Sequence, residues 1–86
     1  MTTAAVNLTN LENGQSAQII EFAGGSNFQK RAEALGLRPG VTITRISAQI
    51  LHGPIMVRVN QTRAAMGYGM AQKILVLPLN EHPSKP

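Results

Sequence analysis

The sequence predicts a mainly β domain with one inserted helix, folded as a small barrel or sandwich. Three observations predict it. Short β-branched or alternating runs recur with turn signals between them, roughly every ten residues. One segment, 26–35, instead carries its apolar residues at helical spacing. Aromatics make up only 3% of a chain that is 43% hydrophobic, so the core has to be built from Ile, Leu, Val and Met. With 86 residues the expectation is one domain with a modest core.

Residues 1–7 are small and polar, and 80–86 are polar and proline-rich, so both are expected to be flexible tails around a domain spanning 8–79. Leu8 and Leu11, three apart and followed by Gly14, predict one helical turn that tucks two leucines inward. Ser16–Phe22 reads as the first strand. Its register stays open, because Ile19 and Ile20 point to opposite faces. Ala23-Gly24-Gly25 then breaks it.

The helix follows. Ser26 with Gln29 three residues on has the capping-box pattern, and Phe28, Ala32 and Leu35 form one stripe, with Lys30, Arg31 and Glu33 off it. Gly36 suits the left-handed residue that ends a helix, and Leu37 the apolar contact that follows it in a Schellman end. Arg38-Pro39-Gly40 predicts a type II turn, with Pro39 holding φ and Gly40 taking the positive value. The chain is thereby reversed into a strand over 41–47. Residues 48–53 form a loop or strand end. Over 54–60 the alternation is cleanest: Ile55, Val57 and Val59 on one face, Met56, Arg58 and Asn60 on the other. A tight turn at Asn60-Gln61 leads into a further short strand, 68–73 into a single helical turn, and 74–79 is the closing strand. The order is β-α-β-β-β-β, without internal repeats.

Catalysis needs convergent groups, and this chain offers few. It has no cysteine, which excludes disulfides, thiolate zinc sites and a Cys nucleophile. Its carboxylates are four glutamates scattered along the sequence, with no Asp. Gly67-Tyr68-Gly69 begins a G-x-G pattern, but Gln72 stands where a dinucleotide fingerprint needs glycine. His52 and His82 are the only histidines, fewer than a metal site usually requires. His52 reads as an exposed loop imidazole, with a weak metal or partner contact as the alternative. Met66 and Met70 read as core filler, with a soft patch for a partner or a soft metal as the alternative. Met56 faces away from the Ile55 side and, with Ile50 or Leu51, would form an exposed apolar patch of the kind that marks interfaces.

The net charge is +4, yet of eight basic residues only Lys30 and Arg31 adjoin, so the charge reads mostly as solubility. Nucleic acid is not favoured as a partner, because no aromatics interleave with the basic groups. The first fifteen residues lack Lys, Arg and any long apolar run, and the stretch 74–79 is broken by Pro78 and too short to span a bilayer. Neither a signal peptide nor a membrane span is expected, and a cytoplasmic protein is the simplest reading.

The order of Leu35-Gly36-Leu37-Arg38-Pro39-Gly40, then Gly53-Pro54-Ile55 with Val57 and Val59, then Ala71 with Ile74-Leu75-Val76, resembles the FeoA family of ferrous iron transport proteins. The resemblance runs from about Leu8 to Leu77. It implies an SH3-like small β-barrel with an inserted helix. It also implies an accessory role at FeoB, the membrane ferrous iron transporter, through that protein's cytoplasmic GTP-binding domain, and recruitment to the inner face of the cell membrane. It brings no catalytic motif and no required cofactor. Where many members carry Leu-Arg before the final helical turn, this chain has Met66-Gly67-Tyr68-Gly69. A related domain closes the iron-dependent repressors of the diphtheria-toxin-repressor type, and the present chain is expected to be the free-standing version.

The expected function is thus a non-enzymatic adaptor that meets its partner through the loop 49–53 and the exposed side of the following strand, with Leu51, His52, Met56 and Arg58 as contact residues. One alternative is a module that binds or senses Fe(II) or another divalent metal, with His52 as a ligand. The other is a nucleic-acid-binding barrel. The sequence leaves assembly into homo-oligomers open.

Overall fold

The computed structural model describes residues 5–47 and 53–79. Its elements are β1 (Val6–Asn7), a 3-10 turn (Leu8–Asn10), β2 (Ser16–Phe22), α1 (Ser26–Ala34), β3 (Thr42–Ser47), β4 (Ile55–Val59), β5 (Thr62–Met66), α2 (Tyr68–Ala71) and β6 (Ile74–Pro78). The strands form one antiparallel sheet in the order β1-β6-β2-β3-β4-β5. Among the described residues no helix is long and apolar enough to cross a membrane.

The sheet is open where a barrel was expected. β1 and β5 are its two ends and share no ladder. β1 is two residues long and already engaged on β6, Val6 opposite Val76, so it offers too few main-chain groups to bridge to β5. Val6 and Asn7 are nevertheless strand residues rather than part of a flexible tail: an apolar Val6 half-buried beside β6 anchors them.

Both ends of the sheet feed one core. Ile19, Ile43, Ile55, Val57, Val59, Ala64, Met66, Ile74 and Val76 project from the strands, while Leu8, Leu11, Phe28, Ala32, Leu37 and Ala71 arrive from the helices and turns. No polar side chain is buried among the described residues. Leu8 and Leu11 enter as their spacing predicts, and Met66 is core filler, with the half-buried Met70 packed against the core.

The ambiguous first strand is settled by a bulge. Ile19 pairs with Val76 but Glu21 with Leu75, so Ile20 is an extra residue in β2. Ile19 is 1% exposed and Ile20 40%. One inserted residue lets the strand keep Ile19 in the core while its second half resumes pairing in the shifted register. A second bulge falls at Ile46 in β3, between Arg45 opposite Val57 and Ser47 opposite Met56.

The end of α1 follows the sequence closely. The Gly36 amide donates to the Glu33 carbonyl at 2.9 Å and the Leu37 amide to the Ala32 carbonyl at 2.9 Å, the paired bonds of a Schellman end. Gly36 has φ 87°. Leu37 is 1% exposed, and its burial contributes about 1.5–3 kcal/mol. The type II turn is closed by Val41 donating to the Arg38 carbonyl at 3.1 Å, with Gly40 at φ 94°. Gly40 also donates to the Ile19 carbonyl at 2.7 Å, which stitches the turn to β2. The start of α1 differs from expectation. Gly25 is the N-cap, in extended geometry and without a side-chain cap, and Ser26 is already the first helical residue. Glycine caps almost as well as serine, so the helix gains one residue at little cost.

Candidate functional site

The β4–β5 hairpin carries the surface to which the sequence points. Its two strands alternate cleanly, and Asn60 takes the turn position with φ 57°, a left-handed value that Asn tolerates. Val59 pairs with Thr62, Arg58 with Arg63, Val57 with Ala64, Met56 with Ala65 and Ile55 with Met66. The odd-numbered residues of β4 and the even-numbered Ala64 and Met66 of β5 are buried. The opposite face holds Met56, Arg58, Arg63 and Ala65. Met56 is half-buried and the other three are exposed.

That outward row continues across the sheet. Thr44 lies opposite Arg58, and Ser16 opposite Thr44, with their hydroxyls hydrogen-bonded at 2.7 Å. The row therefore ends in two arginines directly opposite each other. The glutamates of the described residues, Glu12, Glu21 and Glu33, lie before or on β2 and on α1, and no ion pair to either arginine forms among the described residues. Like charges directly opposite on neighbouring strands repel. Two exposed arginines in that arrangement form a compact positive patch.

Of the predicted contact residues, Met56 and Arg58 share this face, although Met56 is more covered than an open patch would have it. Leu51 and His52 lie outside the described residues, as does His82, and so the proposed metal ligand has no described geometry. Among the described residues no group of three or more His, Cys, Asp or Glu side chains converges.

A cleft of about 630 Å³ opens at the turn end of the hairpin, lined by Gly36, Arg38, Pro39 and Gly40 on one side and Val59, Asn60 and Thr62 on the other. Among the described residues that line it, Arg38 is the one ionisable side chain. Such a cleft offers room for a ligand or a partner's side chain beside the Arg38 guanidinium.

Two residues escaped the sequence reading. Arg63 was passed over because its significance depends on facing Arg58, and only the register of the hairpin brings them together. Arg45, one of eight scattered basic residues in sequence, turns out to be structural. Its Nη1 donates to the carbonyls of Thr9, at 3.1 Å, and Leu11. Its own amide and carbonyl bond to Gln15 and Gly14, so one residue fastens the whole 9–15 segment to β3. Position 45 is two residues from the buried Ile43 in the same strand and therefore on the core side of the sheet, and that alternation was the available signal.

The FeoA domain model matches residues 6–78. This chain belongs to the FeoA family. A crystal structure of the iron uptake regulatory protein FeoA superposes with a TM-score of 0.83 at 30% identity, covering 88% of this chain and all (100%) of that one. A FeoA-like protein from Clostridium acetobutylicum gives 0.82 at 22% identity, covering 99% and 98%. A manganese-dependent transcriptional repressor gives 0.80 at 18% identity, covering 92% of this chain but 44% of the repressor. The last two likenesses establish a shared fold. No curated protein matches the chain. FeoA membership implies a role in ferrous iron transport, and the matched span includes β1, which makes Val6–Asn7 an integral part of the FeoA domain.

Proposed function

We propose that this FeoA protein is a non-enzymatic, cytoplasmic accessory of ferrous iron uptake that docks on the GTP-binding domain of FeoB and modulates transport. The observation that carries this reading is the outward face of the β4–β5 hairpin, where Arg58 and Arg63 stand together without a neutralising carboxylate among the described residues. Exposed groups whose mutual repulsion costs stability are best explained by a partner that relieves it. The cleft with Arg38 in its lining offers a place for a partner's side chain. The six-stranded antiparallel sheet, whose two ends both pack on one core, is compatible with the SH3-like module that the family resemblance implies.

Calorimetry with the purified FeoB cytoplasmic domain tests the reading, together with iron uptake in a strain lacking this chain. The expected results are saturable binding and impaired uptake. No binding and undiminished uptake would end the proposal. An anaerobic Fe²⁺ titration of the isolated protein separates it from direct metal sensing: the adaptor reading expects no stoichiometric metal at micromolar concentration.

A further inference from the structure

β5 is an edge. It pairs with β4 alone, and beyond that ladder residues 62–66 make no main-chain hydrogen bond among the described residues. In a hairpin with a two-residue loop the closing pair, here Val59 and Thr62, is the hydrogen-bonded one, and bonded and non-bonded pairs alternate from there. Thr62, Ala64 and Met66 thus direct their amides and carbonyls at β4. Arg63 and Ala65 direct theirs away from it, towards the open edge.

Edge strands usually carry devices against unwanted pairing. β5 has no proline, no bulge against β4 and five residues in unbroken register. Its one protective device is charge, supplied by Arg63 and reinforced by Arg58 on the adjacent strand. That charge selects as well as protects. A second copy of this chain pairing edge to edge would set its own Arg63 and Arg58 against these two, four cations on one face. A strand bearing carboxylates on that face meets two cations instead.

We infer that the free edge of β5 takes up an extended acidic polypeptide segment as an additional strand, with the Arg63 and Ala65 main chain supplying the hydrogen bonds and Arg63, reinforced by Arg58 on the strand behind it, selecting carboxylates on the matching face of the incoming strand. Main-chain pairing of this kind provides affinity without demanding a particular sequence, and alternate side chains provide discrimination. The inference rests on the accessory reading only in naming FeoB as the protein that carries the segment.

The test is amide hydrogen exchange on the full chain, alone and with the FeoB cytoplasmic domain, alongside titration with a synthetic peptide of alternating Glu and Val. Strand addition slows exchange at Arg63 and Ala65 in particular. Arg63→Glu is expected to weaken binding of either probe by about tenfold or more, and Ala65→Pro, which removes an edge amide that β4 does not use, by a similar factor. Arg63→Gln, which keeps the strand and removes the charge, should fall between. If the FeoB domain binds but protects amides elsewhere and Arg63→Glu and Ala65→Pro bind as the wild type does, the edge inference is overturned while the accessory reading stands. If the FeoB domain does not bind, the accessory reading fails and the peptide decides the edge: protection at Arg63 and Ala65 upholds it, and a flat titration overturns it. Tighter binding of single-stranded RNA than of the acidic peptide at the same residues would also overturn it.

Discussion

Arg58 and Arg63 face each other directly across the β4–β5 hairpin, both exposed and without an acidic partner among the described residues. The arrangement predicts a trade between stability and binding. Arg63→Glu turns a repulsive cross-strand pair into an attractive one, and should raise the stability of the isolated protein by about 0.2–1 kcal/mol while reducing its affinity for the partner. Urea denaturation measures the first effect and calorimetry the second. A variant that loses stability and binding together would point to an ordinary structural role.

Gly36 and Gly24 predict losses of different origin. At Gly36 the nearest atom to an added Cβ is Val59 Cγ1 at 3.8 Å, so there is room, but φ is +87°. Gly36→Ala should therefore cost about 1–2 kcal/mol through the backbone alone, and Gly36→Asn less. At Gly24 the backbone is ordinary and the space is not: a Cβ would lie 2.7 Å from Phe28 Cγ and 2.8 Å from its Cβ. Gly24→Ala should displace Phe28 from its edge-to-face contact with Phe22, centroids 5.4 Å apart, at about 1–3 kcal/mol. Near-ultraviolet and fluorescence spectra should change for Gly24→Ala and not for Gly36→Ala.

Arg45→Met keeps the aliphatic stem and removes the donors to Thr9 and Leu11. The expected loss is about 1.5–3 kcal/mol, with faster amide exchange concentrated in residues 8–15. Uniformly faster exchange across the sheet would show that Arg45 acts on the whole fold and not on that segment.

The adjacent isoleucines of β2 make the sharpest contrast. Ile19→Ala empties a buried site and should cost about 2–5 kcal/mol, whereas Ile20→Thr at the exposed bulge should change stability by about 0.5 kcal/mol or less. Comparable losses at the two positions would contradict the bulge.

Much of the fold was legible because its signals are local. The Schellman end at Gly36-Leu37 and the type II turn at Pro39-Gly40 each depend on residues within a few positions of one another. The alternation of Ile55, Val57 and Val59 set the inner face of β4 for the same reason. Ser26 misled because serine and glycine cap almost equally well, so local preference does not choose between the two adjacent positions. The site was half legible: Met56 and Arg58 were placed on the outer face, but Arg63 had no meaning until its partner strand was aligned.

By itself the sequence determined the period of each segment, where the helix stops and how the chain reverses, since dihedral preferences and side-chain spacing act over a few residues. Only the tertiary structure decided that Ile20 is expelled rather than Ile19, that Arg45 fastens a distant turn, that β1 docks on β6, and that β5 ends the sheet of the described residues beside two arginines. Those outcomes depend on register between strands far apart in the chain. Register is chosen by the packing of one shared core, which no single segment contains.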